Sequence, residues 1–365
     1  MTLLIQVLSS PSLVNFFTEQ QWRALVVQGK KANMLGSLYA LFLDASIDVP
    51  YKVRWHLSGE FLRVSAQKQQ ALFELFKLNV ALEPQVLGGF AALKGVAYIL
   101  HDTRSSQGRN FSDIDIIVSQ CQVKNIEFRL KAFGWFRSEI DDYDDKYYRE
   151  WMHEIPPLTH SKRFTTLDVH HNILPRTNKQ HFDASLFEFV EVEVEHVGKV
   201  KTLSKKDMLI HCAVHLFTES EFHNGLRDLY DLHSMMTQFQ SESETFLSEL
   251  ADRAIELGLG NYLFYAVRYT QLVFCTEVPT EIVSKLEPYK PKFLNVWDFA
   301  FLNVFKPDVK ACRTWRTPIA KFLTYWRGHL IRMPLRLLVP HLLRKSWMQL
   351  RDKFTKDPID GEQLP

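Results

Sequence analysis

A chain of 365 residues with 46% hydrophobic and 24% charged residues has apolar mass for a full core and is too long for one small domain. Its four cysteines (Cys121, Cys212, Cys275, Cys312) are scattered without a Cys-x-x-Cys pair, which argues against a disulfide framework or zinc site and fits a reducing compartment. Net charge is only +2, yet residues 313–356 hold 11 Lys/Arg against the single acid Asp352, an asymmetry that implies an anionic partner.

Residues 1–6 are apolar but lack the basic stretch of a signal peptide, and no run of 18 apolar residues follows, so a cytoplasmic chain without a spanning helix is expected. Residues 20–27 and 68–76 place apolar side chains at three- and four-residue spacing, the mark of helices. Gly88-Gly89 signals a break, and 90–98 reads as a short strand or turn leading into a helix. A strand over 112–118 precedes an amphipathic helix over 123–133 that stops at Gly134. A loop with the acids of 141–145, Pro156 and Pro157 leads to a second strand over 164–174, ended by Pro175. Residues 187–199 alternate and predict one further strand. Helix resumes at Lys201, with Ser204 as N-cap, and dominates to the end, where Pro334 and Pro340 forbid one continuous helix. The expected class is α/β (α+β): a small mixed sheet bearing acids, with helices on both sides and helical N- and C-terminal regions. The divisions expected are an N-terminal helical region (1–84), a catalytic core (85–200), a helical domain (201–310) and a basic aromatic tail (311–365).

The strand over 112–118 carries the chemistry. Alternation sends Ile114 and Ile116 inward and turns Asp113 and Asp115 together to the other face, about 6–7 Å apart at Cα. Two such acids are costly without a counter-ion, and a divalent metal is the natural one. A lone Asp-x-Asp is most often a solvated face, but here Lys94-Gly95 and Arg109 precede it and an isolated Asp168 follows within an apolar strand. That order points to nucleotidyl transfer, in which two metal ions polarise a phosphate and activate the attacking oxygen. Asp113 and Asp115 would bridge the ions, and Asp168 would hold the second ion and help deprotonate the incoming hydroxyl. His170, on the Asp168 face, would orient the acid or touch a phosphate. Gly95 would let the chain approach a triphosphate, with Lys94 and Arg109 on its non-transferred oxygens. Hard oxygen ligands favour Mg²⁺.

Leu93-Lys94-Gly95, Arg109, Asp113-Ile114-Asp115 and Leu167-Asp168-Val169-His170 together resemble uncharacterised bacterial nucleotidyltransferases of the DNA polymerase β-like superfamily. Pro156-Pro157-Leu158 with His160, Asn172-Ile173-Leu174-Pro175 and the 226–232 segment support the likeness, which spans most of the chain. The turn departs from the Gly-Ser or Gly-Gly of many members, reading Lys94-Gly95-Val96. The resemblance implies transfer of an NMP group from NTP to an acceptor hydroxyl, with pyrophosphate released. The acceptor stays open between a tRNA end, a protein side chain, and a small sugar or antibiotic. Residues 226–232 also resemble a motif of abortive-infection nucleotidyltransferase toxins. There Arg227 and Asp231 share a helix face and would contact nucleotide or hold the helical half to the sheet. The competing reading is a non-catalytic module docking on nucleic acid or membrane through the basic tail. His211 and His215 share a helix face, but packing or capping suits them better than zinc, since Cys212 stands where a zinc protease has Glu.

Overall fold

The computed structural model describes residues 1–82, 88–137 and 142–355. One mixed sheet of seven strands organises them: β1 (Ala91–Ala92), β2 (Asp113–Ile117), β3 (Trp135–Arg137), β4 (Leu158–His160), β5 (Thr166–His170), β6 (Phe189–Val194) and β7 (Gly198–Leu203). Their spatial order is β3-β4-β5-β2-β1-β7-β6. β2 runs parallel to β5 and β1 parallel to β7, whereas β1–β2, β3–β4, β4–β5 and β6–β7 are antiparallel.

Period-2 alternation divides the sheet between two cores. Ile114, Ile116, Leu167 and Val169 enter a core built with Leu75 and Leu78 of the helix Tyr51–Leu82 and Ile126 and Leu130 of the helix Val123–Ala132. The opposite face looks toward the helical second half, whose core is larger and joins N-terminal helices to residues such as Leu209, Phe217, Tyr269 and Phe301. Asp113, Asp115 and Asp168 fall on that second face, where the helices Lys94–Leu100 and Lys205–Thr218 approach. The expected mixed sheet between helical flanks is therefore present.

Several local expectations are corrected. Residues 187–199 form not one strand but most of a hairpin: the chain reverses through His196 and Gly198, both at positive φ, and Lys201 lies in β7. Helix resumes only at Lys205, with the Ser204 hydroxyl accepting the Asp207 N–H at 3.3 Å. The region expected as a loop between 134 and 164 contributes β3, β4 and a short helix, Asp142–Lys146; each strand is three residues long, too short for alternation to register. In the C-terminal arm the break falls at Pro334, and Pro340 is carried inside the helix Leu335–Thr355, where it removes one N–H donor. Asp141, the 84/85 division and the last residues of the basic tail lie outside the described residues.

Bidentate ion pairs fasten these layers. Arg163 holds the fully buried Glu74 at 2.6 and 2.7 Å, tying the β4–β5 turn to the helix Tyr51–Leu82. Arg253 holds Asp207 at 2.9 and 3.0 Å, and Asp207 also accepts the Glu188 N–H at 2.6 Å. Asp207→Ala would leave the Glu188 N–H unpaired and Arg253 with only Glu256 and the Leu186 carbonyl, so a loss of about 2–3 kcal/mol is expected as a lower urea midpoint. The first half of the basic arm is docked. Arg327 donates to the Phe217 carbonyl and lies over Tyr265 and Phe301, 5.0 and 5.2 Å from their centroids. Arg332 pairs with Glu219 at 2.8 Å, while Trp315, Phe322 and Trp347 stay exposed. Among the described residues no helix is long and apolar enough to cross a membrane.

Candidate active site

The parallel register of β2 and β5 sets Asp115 directly beside Asp168, with Asp113 beside Thr166 and Ile117 beside His170. Since side chains alternate, Asp113, Asp115, Asp168 and His170 share one face. Asp115 is buried, and its Oδ1 receives both the Lys94 ammonium at 2.7 Å and His170 Nε2 at 2.9 Å. Burial alone would raise its pKa, but the Lys94 charge and the His170 hydrogen bond prevail and hold it well below 3.8. Asp113 moves the other way, raised by burial and by the neighbouring Asp115 charge.

Asp168 is in the least compensated position. Its Oδ1 is buried without a hydrogen-bond partner. Burial, then the charges of Asp115, Glu154 and Asp113, push its pKa from 3.8 up to about 7. An orphaned carboxylate oxygen beside two further carboxylates is a site short of positive charge, and hard oxygen donors on one sheet face suit a divalent cation. The residues present fit the ion.

Lys94 reaches this face because the chain turns sharply after β1. The Leu93 N–H bonds to the Asp115 carbonyl at 2.9 Å, and Lys94 then adopts φ +47° as the first residue of the helix Lys94–Leu100. A left-handed lysine costs about 1–2 kcal/mol, which the short pair with Asp115 offsets. Gly95 is closely surrounded: a Cβ there would sit 3.1 Å from an Arg109 guanidinium nitrogen and 3.3 Å from Phe111 Cβ, so a side chain would press both neighbours outward. The loop carrying Arg109 is fixed in turn by Gly108 against Gly36, an approach so close that a Cβ on Gly36 would lie 2.4 Å from the Gly108 carbonyl oxygen.

Arg109 is nearly buried and largely committed to protein partners. Its Nε donates to Asp231 at 2.6 Å and its terminal nitrogen to Asp228 at 3.3 Å, with Tyr98 5.2 Å from the guanidinium. Arg227 donates to Asp228 at 2.8 and 2.9 Å and to the Asn110 carbonyl at 3.0 Å. Arg227 and Asp231 thus sit in the joint between the helix Gly225–Glu242 and the strand-bearing loop. Together Lys94, Arg109 and Arg227 line a cleft of about 320 Å³ floored by Asp113 and Asp115 and walled by Phe111 and Phe222. The rim at Glu221, Phe222 and His223 also bounds a second cavity of about 850 Å³ that extends to Lys30, Lys31 and the C-terminal arm. His211 is buried and its pKa falls to about 3 through burial, then the Lys94 charge, in keeping with packing. His215 lines the cleft beside Glu219 at 3.5 Å.

Two residues near the acids escape a reading of sequence. Glu154 Oε2 stands 3.3 Å from His170 Nδ1, and the His153 ring stacks on that of His170 with centroids 5.4 Å apart. Both lie in the stretch expected as loop, brought to β5 by a single antiparallel bridge between Glu154 and His170. The one available signal is compositional, a His-Glu pair just ahead of Ile155-Pro156-Pro157. His160, one of the motif residues, is structural: its Nδ1 accepts the backbone N–H groups of Lys162 and Arg163 at 3.1 and 3.2 Å.

A mixed sheet presenting three aspartates from two neighbouring parallel strands, with a lysine turn alongside, is an α/β fold of nucleotidyltransferase type. The chain belongs to the family described as uncharacterised nucleotidyltransferase, whose model matches residues 18–275. No curated protein and no solved structure matches it.

Proposed function

We propose that the protein is a divalent-metal-dependent nucleotidyltransferase that moves an NMP group from an NTP to an acceptor hydroxyl. The observation that carries this reading is the alignment of Asp115 with Asp168 across β2 and β5, with Asp113 on the same face and one Asp168 oxygen unpaired. Asp113, Asp115 and Asp168 would hold the cations, most simply Mg²⁺. Bound there, the metal supplies charge neutralisation and polarisation of the phosphate.

The chain's own groups account for the rest. Lys94, kept cationic by Asp115, meets the polyphosphate, while Arg109 and Arg227, paired with Asp228 and Asp231, shape the cleft wall. Asp168, beside Asp115 on the same sheet face, takes the proton of the acceptor hydroxyl. The freed oxygen forms the bond to the α-phosphorus, the bond from that phosphorus to the bridging oxygen breaks, and pyrophosphate leaves with the electron pair. His170 holds Asp115 in place. The larger cavity beyond Phe222 provides room for the acceptor.

Incubation of the protein with each α-labelled NTP, Mg²⁺ and cell extract tests this directly. Label is expected in one acceptor, with pyrophosphate released in equal amount. Phosphate release without an acceptor would instead mark a phosphohydrolase. Absence of Mg-NTP binding by calorimetry, in wild type and Asp113→Ala alike, would leave the docking-module reading standing.

A further inference from the structure

Behind Asp115, on the side of His170 away from it, three ligand-type side chains converge. His153, Glu154 and His170 each offer one donor atom, and these atoms lie within 4.8 Å of one another. We infer that they form a separate site for a divalent transition metal such as Zn²⁺, distinct from the aspartate site.

Four observations carry this. First, both ring nitrogens of His170 face carboxylate oxygens, Nε2 on Asp115 at 2.9 Å and Nδ1 on Glu154 at 3.3 Å. One imidazole thus stands between the two carboxylates, with Nδ1 turned to Glu154 and away from Asp115. Second, His153, whose ring stacks on that of His170, has a buried ring nitrogen, Nδ1, with no hydrogen-bond partner. Third, the backbone holds the ligands in place. The His153 carbonyl accepts N–H groups from His171 at 2.8 Å and Asn172 at 3.2 Å, and Ile155 bonds to the Val169 carbonyl at 3.0 Å. Fourth, the His170-to-Asp115 bond supplies the carboxylate that ligating histidines ordinarily carry on their second nitrogen.

Two imidazoles and one carboxylate select zinc-like ions over Mg²⁺, because imidazole nitrogen is a poor donor for a hard ion. Three protein ligands leave a position open, and the Glu154 side chain is one-fifth exposed, which gives the ion a path from solvent. The metal would fix the His170 tautomer and thereby the orientation of Asp115, so its site is a positioning device one bond removed from the reacting groups.

The experiment is calorimetric titration of chelator-stripped, full-length protein with ZnCl₂, in an Asp113→Asn/Asp168→Asn background that disables the aspartate site. One Zn²⁺ per chain is expected, unaffected by millimolar Mg²⁺, and weakened about 100-fold by His153→Ala or Glu154→Gln. Because a variant that unfolds would also lose binding, Co²⁺ is added to the parent background, where four-coordinate nitrogen ligation gives intense visible d–d bands and six-coordinate all-oxygen ligation only weak ones. The inference is overturned by lack of Zn²⁺ binding, by equal binding in folded His153→Ala, by Mg²⁺ competition at equal concentration, or by a Co²⁺ spectrum of oxygen ligation. Its failure leaves the nucleotidyl-transfer proposal untouched, since that rests on Asp113, Asp115 and Asp168 and is read by transfer of label in the wild type, not by Zn²⁺ binding.

Discussion

Asp115→Asn is expected to lower nucleotidyl transfer about 1,000-fold or more, measured as label moved from NTP to acceptor per unit time. Asp115 is the one acid of the three that is charge-balanced without metal, by Lys94 at 2.7 Å and His170 at 2.9 Å. An amide keeps the shape but forfeits the anion that would bridge the cations, and it leaves the Lys94 ammonium buried without its counter-charge. A stability loss of about 3 kcal/mol should therefore accompany the loss of activity. The two effects separate in a second variant. Lys94→Met combined with Asp115→Asn removes the stranded charge and should recover much of the melting temperature, while transfer stays lost. If Asp115→Asn retained transfer within about tenfold of wild type, the catalytic assignment of β2 would fail.

What the sequence reveals about this site follows from the range of the forces involved. Asp113 and Asp115 are legible because strand alternation is local: two residues apart on an apolar strand is sufficient to put them on one face. That Asp168 stands beside Asp115, rather than anywhere else along β5, depends on parallel register between strands far apart in the chain, and no local pattern specifies it. Lys94 reads as a turn residue reaching for phosphate. Its pairing with Asp115 comes from the Leu93 backbone bond to β2, a long-range contact. Arg109 and Arg227 carry the same lesson in reverse. The acids that engage Arg109 arrive on a helix more than a hundred residues away, and Arg227 reaches back over a similar span to the Asn110 carbonyl. The β6–β7 hairpin is hidden because turn residues Glu195 and His196 continue the polar alternation, and only the positive φ of His196 and Gly198 marks the reversal. Glu154 and His153 are invisible for want of any periodicity around them, their position resting on one bridge to His170.

Asp168→Asn should make the metal-free protein more stable while removing at least about 99% of its transfer activity. In the folded chain Asp168 has a midpoint of about 7 against 3.8 in the unfolded chain, because burial and then Asp115, Glu154 and Asp113 oppose its charge. A raised carboxyl midpoint means the native state holds the proton more tightly. The stability it contributes is complete below about pH 4, and it is lost progressively as pH rises to about 7. Above that pH, in chelator, wild type carries an uncompensated buried carboxylate that the amide variant lacks. The gain for the variant is on the order of 2–4 kcal/mol at about pH 8 and should vanish near pH 4. Millimolar Mg²⁺ should then raise the wild-type melting temperature and leave the variant nearly unmoved, because the group that binds the cation is the one that destabilises the empty fold. Thermal melts at about pH 4 and about pH 8, with chelator and with Mg²⁺, read all three effects in one set. Equal melting temperatures in chelator at the higher pH would mean that Asp168 is already neutralised by the protein, and its roles as metal ligand and proton acceptor would both have to be abandoned.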